Sequence, residues 1–235
     1  MYRIRVPIAI AMILVVSGIL YADFRLQTDA GSTLLLSGLI LAALHEFYTL
    51  LGLSRPRRIA SVATGGAFLA ARYAALHRPE WFGGIDPAPA VLSAFGIFFL
   101  IPWLLAGDER PNPETPAPGL PPGGLADAAT ATLGLVYVVF LLSYLLEIRA
   151  LRLPGSDLGH GDGILLLFFV AIAAKGHDMG GYLVGKKFGR HKIMPRISPK
   201  KSWEGTIAGI LFGGALAALM AHVFSPVGRL MSLPI

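Results

Sequence analysis

Long apolar runs separated by short polar segments dominate the pattern along this chain. A helix needs roughly 20 mostly apolar residues to cross a hydrocarbon core of about 30 Å, and seven runs approach that length. The pattern therefore predicts an all-α fold, a polytopic transmembrane helical bundle in which residues 1–235 form a single membrane-embedded domain. The approximate borders of the predicted spans are 4–22, 33–52, 59–77, 88–105, 129–147, 163–185 and 204–224.

Two polar segments between the predicted spans stand out by composition. Residues 107–124 contain six prolines, so we expect a loop without regular structure there. Residues 186–203 are expected to form a basic loop, because seven Lys or Arg and no Asp or Glu lie between Lys186 and Lys201. The other 13 basic residues are balanced by 14 acidic residues, so the net charge of +6 arises from this one segment.

The distribution of positive charge predicts an orientation in the membrane. Short loops rich in Lys and Arg usually lie on the cytoplasmic side. When seven spans are counted, the N-terminal MYRIR, the RPRR stretch at 55–58 and the basic loop fall on the same side. We therefore expect a multi-pass protein of the cell (inner) membrane whose basic and Pro-rich loops are cytoplasmic.

Overall composition supports a membrane protein and excludes some chemistry. Hydrophobic residues make up 54% of the chain and charged residues 14%, whereas charged residues make up about a quarter of a typical soluble domain. The chain has no cysteine, so disulfides, thiolate catalysis and Cys-ligated metals are excluded. Any metal has to use oxygen or imidazole ligands.

The sixth predicted span carries charged and small residues on one helical face. Lys175, Asp178, Tyr182 and Gly185 follow the spacing i, i+3, i+7 and i+10, which places them on one side of a helix. A charge at membrane depth costs about 2.5–3.5 kcal/mol and usually faces a polar interior. Asp178 is therefore a candidate site residue, and the alternative is a Lys175–Asp178 pair that neutralises itself between packed helices. His177 is interpreted as a packing or interfacial residue.

The start of the last predicted span has two interpretations. In the first, the Ser-Pro pair at 198–199 is a helix N-cap with proline at the first helical position, while Lys200, Lys201 and Trp203 anchor the helix at the interface. In the second, helix-start N–H groups and the lysines form an anion site suited to phosphates. Glu204 has no anchoring role and fits the second interpretation, where it orients a lysine or helps to hold a cation.

Two further carboxylates lie near the ends of predicted spans. Glu46 is close to the RPRR stretch in sequence and is expected to extend toward it. Glu147 is expected to form an interfacial ion pair with Arg149. Neither carboxylate has another partner that the sequence identifies.

Residues 175–209, KGHDMGGYLVGKKFGRHKIMPRISPKKSWEGTIAG, resemble a segment of the phosphatidate cytidylyltransferases (CDP-diacylglycerol synthases). That family segment runs from Asp-x-Gly-Ala-Tyr-x-x-Gly through a basic stretch to Ser-Pro-Lys-Lys-Thr-Trp-Glu-Gly. Two positions depart mildly, with Gly181 in place of Ala and Ser202 in place of Thr. The positions at the family's spacing are Asp178, Gly180, Tyr182, Gly185, Phe188, Gly189, Ser198, Pro199, Lys200, Lys201, Trp203, Glu204 and Gly205.

The resemblance implies a reaction and a set of site residues. The expected reaction transfers a cytidylyl group from CTP to phosphatidate, giving CDP-diacylglycerol and pyrophosphate in phospholipid biosynthesis. Mg²⁺ is the expected cofactor, with Asp178 as its ligand and a second cation left open. The expected catalytic residues are Asp178, Lys201 and Glu204, and the expected substrate-binding residues are Lys175, Tyr182, Gly185, Ser198, Lys200 and Trp203.

Partners and alternatives follow from the same resemblance. CTP, phosphatidate and the lipid bilayer are the expected partners, a homodimer is left open, and no nucleic-acid partner is expected. The sequence lacks the family's later signature with Pro-Gly-His-Gly-Gly and Asp-Arg-x-Asp, so we expect a truncated and inactive form. The alternatives are a related CTP-dependent lipid nucleotidyl- or phosphotransferase of the membrane, or an ion-coupled transporter, for which no inverted repeat is evident.

Overall fold

A computed structural model describes residues 2–83, 89–90, 124–153, 156, 158–194 and 198–223. Within these residues, five helices are long and apolar enough to cross a membrane, which confirms the all-α, polytopic fold class. The predicted span 4–22 lies within a further helix, Tyr2–Leu26. The predicted span 88–105, apart from residues 89 and 90, and the Pro-rich loop up to residue 123 lie outside the described residues. The five spans are Ala30–Leu50, Arg55–His77, Ala126–Ala150, Gly161–Phe188 and Trp203–Val223.

The described elements are six helices, one short 3₁₀ turn and two short strands. Helix α4 contains a π-helical stretch, Leu135–Phe140, between its α-helical parts Gly124–Gly134 and Leu141–Ala150. The 3₁₀ turn, Pro79–Phe82, follows α3. The other elements are α1 Tyr2–Leu26, α2 Ala30–Leu50, α3 Arg55–His77, α5 Gly161–Phe188, β1 Lys192–Met194, β2 Ser198–Ser202 and α6 Trp203–Val223.

Contacts within the chain group it into two compact units. The first unit comprises Met1–Ile19 and Ala30–Glu147, and the second comprises Leu20–Asp29 and Ile148–Ile235. The expectation of a single membrane-embedded domain stays a prediction. All residues that the sequence suggested as site residues belong to the second unit.

The first unit has a core where α2, α3 and α4 meet. Tyr48 is fully buried, and its hydroxyl donates a hydrogen bond of 2.7 Å to the carbonyl oxygen of Ala131. Gly134 lies against the same ring, where an added Cβ would be 2.4 Å from Tyr48 Cε1. Small residues let membrane helices approach closely, so Gly134 makes room for Tyr48 between α2 and α4.

Ion pairs join α3 to α4 in the first unit. Arg57 pairs with Asp127, and Arg72 pairs with Glu147. The predicted Glu147–Arg149 pair is therefore wrong, because Arg149 instead binds Asp23. Residues two apart on a helix point to different sides, so each finds its partner on another element.

Arg149 organises a buried polar cluster in the second unit. Its guanidinium is fully buried and donates hydrogen bonds to the carbonyl oxygens of His160, at 3.0 Å, and Thr28, at 2.9 Å. Asp23 accepts a longer one, at 3.4 Å. Since these partners come from the last turn of α1, the segment after it and the turn before α5, the cluster fastens these parts together.

Glycines set the packing of α5 against α6 in the second unit. An added Cβ at any of five positions would lie less than 3.0 Å from an atom of the other helix. Helices with small residues at such spacing approach almost to backbone contact, so these glycines are packing residues. The five positions, called the glycine ladder below, are Gly176, Gly180, Gly205, Gly209 and Gly213.

The segment predicted as a basic loop contains an antiparallel pair of strands, β1 and β2. Lys192 is paired with Ser202, and Met194 with Ser198. Helix α6 begins directly after β2, and the Gly205 N–H donates a hydrogen bond of 3.2 Å to Ser202 Oγ. Ser202 therefore caps α6, and the prediction of a cap at the Ser-Pro pair 198–199 is wrong because strand pairing occupies those residues.

Candidate active site

A cavity of about 380 Å³ lies between α5, β2 and the start of α6. Such a volume falls within the range of known ligand pockets. The cavity, called the Asp178 cavity below, brings together residues that are up to 29 positions apart in sequence. Its lining residues are His177, Asp178, Gly181, Tyr182, Ser198, Lys200, Lys201, Ser202, Gly205 and Thr206.

Helix α5 supplies the acidic wall of the Asp178 cavity. Asp178 and Tyr182 are one helical turn apart, and both side chains are largely exposed. Lys175 Nζ lies 3.7 Å from Asp178 Oδ2, yet Lys175 is not among the lining residues. The Lys175 side chain is 80% exposed and the Asp178 side chain 69%. The predicted pair therefore forms, but it is not enclosed between packed helices.

Strand β2 supplies the basic wall. Lys200 and Lys201 both line the cavity and are exposed. Within the described part of the chain, neither ammonium group has an ion-pair partner. Because Asp178 is already accompanied by Lys175, positive charge is in excess around the cavity. Uncompensated ammonium groups beside hydroxyl donors are suited to phosphate oxygens.

Glu204 and Trp203 lie away from this cavity. The Glu204 carboxylate accepts hydrogen bonds from the His191 N–H, at 3.1 Å, and from His191 Nδ1, at 2.6 Å. The Trp203 N–H in turn donates to the His191 carbonyl oxygen, at 2.9 Å. Glu204 thus ties the residue before β1 to the first turn of α6.

The structure brings together part of the site that the sequence suggested. The Asp178 cavity includes five of those residues, whereas Lys175, Gly185, Trp203 and Glu204 are absent from its lining. Gly185 instead packs against the start of α6, with an added Cβ 3.4 Å from Gly205 Cα. The five included residues are Asp178, Tyr182, Ser198, Lys200 and Lys201.

Sequence reasoning missed His177 and Thr206 as lining residues. His177 does pack, since an added Cβ at Gly209 would lie 2.9 Å from its ring, but it also lines the Asp178 cavity. Thr206 donates a hydrogen bond of 3.2 Å to the Ser202 carbonyl oxygen. His177 could have been predicted as a lining residue, because it lies one helical turn before Gly181. The position of Thr206 in the lining could not, because it depends on the residue at which α6 begins.

The described residues offer few metal ligands. No group of three or more His, Asp or Glu that could hold a metal ion occurs among the residues that the structure describes. Asp178 is the one carboxylate among the described lining residues. Mg²⁺ is usually held by one or two carboxylates, water and substrate phosphates, so the donor set fits a metal that arrives with a phosphate substrate.

The fold and cavity define a helical membrane protein with a cavity, lined by two lysines and Asp178, between two candidate spans. Residues 3–234 match the sequence model described as "Cytidylyltransferase family". The chain belongs to the cytidylyltransferase family.

Relatives of known sequence agree with this family. The Escherichia coli protein described as "Uncharacterized protein YnbB" is 29% identical over 160 residues, which are 67% of this chain and 52% of that protein. A Mycobacterium tuberculosis "Phosphatidate cytidylyltransferase" is 33% identical over 140 residues, 58% of this chain and 40% of that protein. The Mycobacterium leprae "Phosphatidate cytidylyltransferase" is 48% identical over 63 residues, 27% and 20% of the two chains. The matched part thus spans between a fifth and about half of these relatives.

Proposed function

We propose that this chain forms the nucleotide-handling part of a phosphatidate cytidylyltransferase, which transfers a cytidylyl group from CTP to phosphatidate. The observation that carries the proposal is that Lys200 and Lys201, which have no ion-pair partner among the described residues, line the same cavity as Asp178. Membership of the cytidylyltransferase family and the relatives' names support it.

The proposed reaction needs positioning and charge neutralisation. A phosphate oxygen of phosphatidate attacks the α-phosphorus of CTP and forms a new P–O bond. The bond between the α-phosphorus and the oxygen that bridges to the β-phosphate breaks, and pyrophosphate leaves. Negative charge grows on the phosphate oxygens during this step, and fixed cations stabilise it best. Lys200 and Lys201 are suited to that role, while the hydroxyls of Tyr182 and Ser198 orient the phosphates.

Mg²⁺ is proposed as the cofactor. Asp178 would be its protein ligand, with phosphate oxygens completing the coordination. The ion would supply Lewis-acid neutralisation of the phosphate charge. A second cation stays a prediction, as does a catalytic role for Glu204.

The substrates suit a site at the membrane boundary. The Asp178 cavity lies beside the start of α6 and the C-terminal half of α5, which are both candidate spans. We propose that this end faces the cytoplasm at the inner membrane, where CTP is dissolved, while phosphatidate arrives laterally from the bilayer. A homodimer stays a prediction.

The proposal is tested with the purified chain and CTP. Binding of CTP in the presence of Mg²⁺ is measured in detergent, and products from radiolabelled CTP with phosphatidate and other lipid acceptors are separated by thin-layer chromatography. We expect CTP to bind, and any labelled lipid product to be CDP-diacylglycerol. Transfer to a different lipid alone would instead favour the related CTP-dependent lipid transferase, and absence of both binding and product would overturn the proposal.

The expectation that the 235-residue chain is inactive is tested in the same assay. CTP binding without lipid product would agree with it, since binding needs the lysines whereas transfer needs the complete set of metal ligands. Robust formation of CDP-diacylglycerol by this chain would contradict it and would mean that Asp178 and the lysines suffice.

A further inference from the structure

A second concave surface lies on the other side of the start of α6. It is an open groove of about 720 Å³ and shares no lining residue with the Asp178 cavity. Apart from Glu204, whose catalytic role stays a prediction, its lining residues have no part in the chemistry proposed above. Its lining residues, which define the Arg190 groove below, are Arg190, His191, Lys192, Trp203, Glu204 and Ile207.

The charges of the Arg190 groove are unbalanced. Arg190 and Lys192 are exposed, and neither side chain has an ion-pair partner within the part of the chain that the structure describes. The one carboxylate in the described lining, Glu204, already accepts hydrogen bonds from the His191 N–H and Nδ1. Two cations therefore remain available for an anion.

The other wall of the groove is apolar. Trp203 and Ile207 lie one turn apart on α6 and are each 56% exposed. Trp203 is the first residue of a candidate membrane span, and tryptophan at such a position typically lies at headgroup level. The groove thus combines cations at the water side with an apolar surface at the membrane side.

We propose that the Arg190 groove binds the headgroup of an anionic phospholipid. The phosphodiester would lie between Arg190 and Lys192, and the glycerol and first acyl carbons would contact Trp203 and Ile207. Basic pockets beside membrane helices recognise anionic lipids in this way. A soluble anion would leave the apolar wall unused, so the combination favours a lipid.

The experiment measures lipid retention by the full chain in detergent. Native mass spectrometry follows titration with phosphatidylglycerol, which is anionic and is not the proposed substrate, and with zwitterionic phosphatidylcholine. The unaltered chain is expected to retain phosphatidylglycerol preferentially. The double variant Arg190→Gln and Lys192→Gln should bind it roughly tenfold more weakly, because two charges near a lipid phosphate are removed.

The matched control is the double variant Lys186→Gln and Lys187→Gln, which removes two positive charges from the same basic segment but outside the groove. It should retain phosphatidylglycerol as the unaltered chain does. Equal weakening in both double variants, equal binding of the two lipids, or displacement of the lipid by millimolar inorganic phosphate would each overturn the inference.

Two further variants separate this inference from the proposed function. Asp178→Asn should leave phosphatidylglycerol retention unchanged, since Asp178 lies in the other cavity; loss of retention would place the lipid there and refute the inference. Ile207→Ser should weaken retention without changing net charge. Both results are independent of whether the chain transfers a nucleotide.

Discussion

At the scale of single residues, Asp178 and Lys201 show what the sequence reveals and what it conceals. A carboxylate within an apolar run and paired lysines after a Ser-Pro step are conspicuous in sequence, and both line one cavity. Glu204 was equally conspicuous, but its carboxylate binds His191, thirteen residues away. The sequence shows which residues are charged. It does not show where their side chains point, because that depends on how the chain turns between α5 and α6, and hydrophobic periodicity does not predict this turn.

Asp178→Asn is expected to abolish CTP-dependent transfer in an active form of the protein while leaving membrane insertion intact. The substitution keeps the size of the side chain and removes the charge that a cation needs. Product formation from radiolabelled CTP measures the effect, and protein yield in washed membranes checks insertion. Near-normal turnover would show that Asp178 has no part in the reaction.

Lys201→Ala is expected to weaken CTP binding by about tenfold or more, because a charge-assisted contact to phosphate contributes roughly 1.5–3 kcal/mol. Lys187→Ala is the matched control, since Lys187 lies near the Phe188 ring and outside the cavity lining. Titration of CTP against the purified variants gives both affinities. If the two variants bind CTP equally well, the lysines of β2 serve only as membrane anchors.

At the scale of elements, helices were predictable and the strand pair was not. Five of the predicted spans correspond to helices of the required length, because apolar length is read directly from the sequence. The short strands β1 and β2 are held by only a few backbone pairs and by the contacts of His191 with the first turn of α6. Such contacts are local in space and leave no regular pattern in the sequence.

Glu204→Ala is expected to loosen the strand pair. Without its carboxylate, the His191 N–H loses its acceptor and the link between β1 and α6 is weakened. Hydrogen–deuterium exchange of peptides covering residues 190–203 should be faster than in the unaltered chain. Glu204→Gln keeps an acceptor oxygen and should exchange at an intermediate rate, whereas unchanged exchange in Glu204→Ala would mean that β1 and β2 hold themselves.

Gly209→Ala is expected to destabilise the packing of α5 against α6 by about 1–3 kcal/mol, the usual cost of overpacking. Its Cβ would lie 2.7 Å from the His177 carbonyl oxygen, which is backbone and cannot rotate away. Gly214→Ala is the control on the same helix, since a Cβ there meets nothing within 4 Å. Thermal unfolding in detergent should separate the two, and equal midpoints would contradict the close packing.

At the scale of the whole molecule, the number of spans decides which surfaces share a side of the membrane. Both α4 and α5 lie between Glu80 and Arg190, together with the predicted span 88–105, which is almost entirely beyond the residues that the structure describes. The orientation in the membrane is predicted from this count of spans and from the distribution of Lys and Arg in the loops.

Single cysteines introduced at Glu80 and Arg190 are expected to react with a membrane-impermeant thiol reagent from opposite sides of the membrane. Both positions are exposed, and the chain has no native cysteine to interfere. Labelling in intact cells and in inverted vesicles distinguishes the sides. Reaction of both from one side would mean that an even number of spans separates them and that the span 88–105 does not cross.

The glycine ladder has a mechanical consequence for any ligand that enters the Asp178 cavity. Where α5 and α6 meet, each glycine lies directly against backbone or side-chain atoms of the other helix, so little space is left for the two helices to shift independently. The residues that α5 and α6 contribute to the cavity, such as Asp178 and Thr206, therefore keep a nearly fixed spacing during thermal motion.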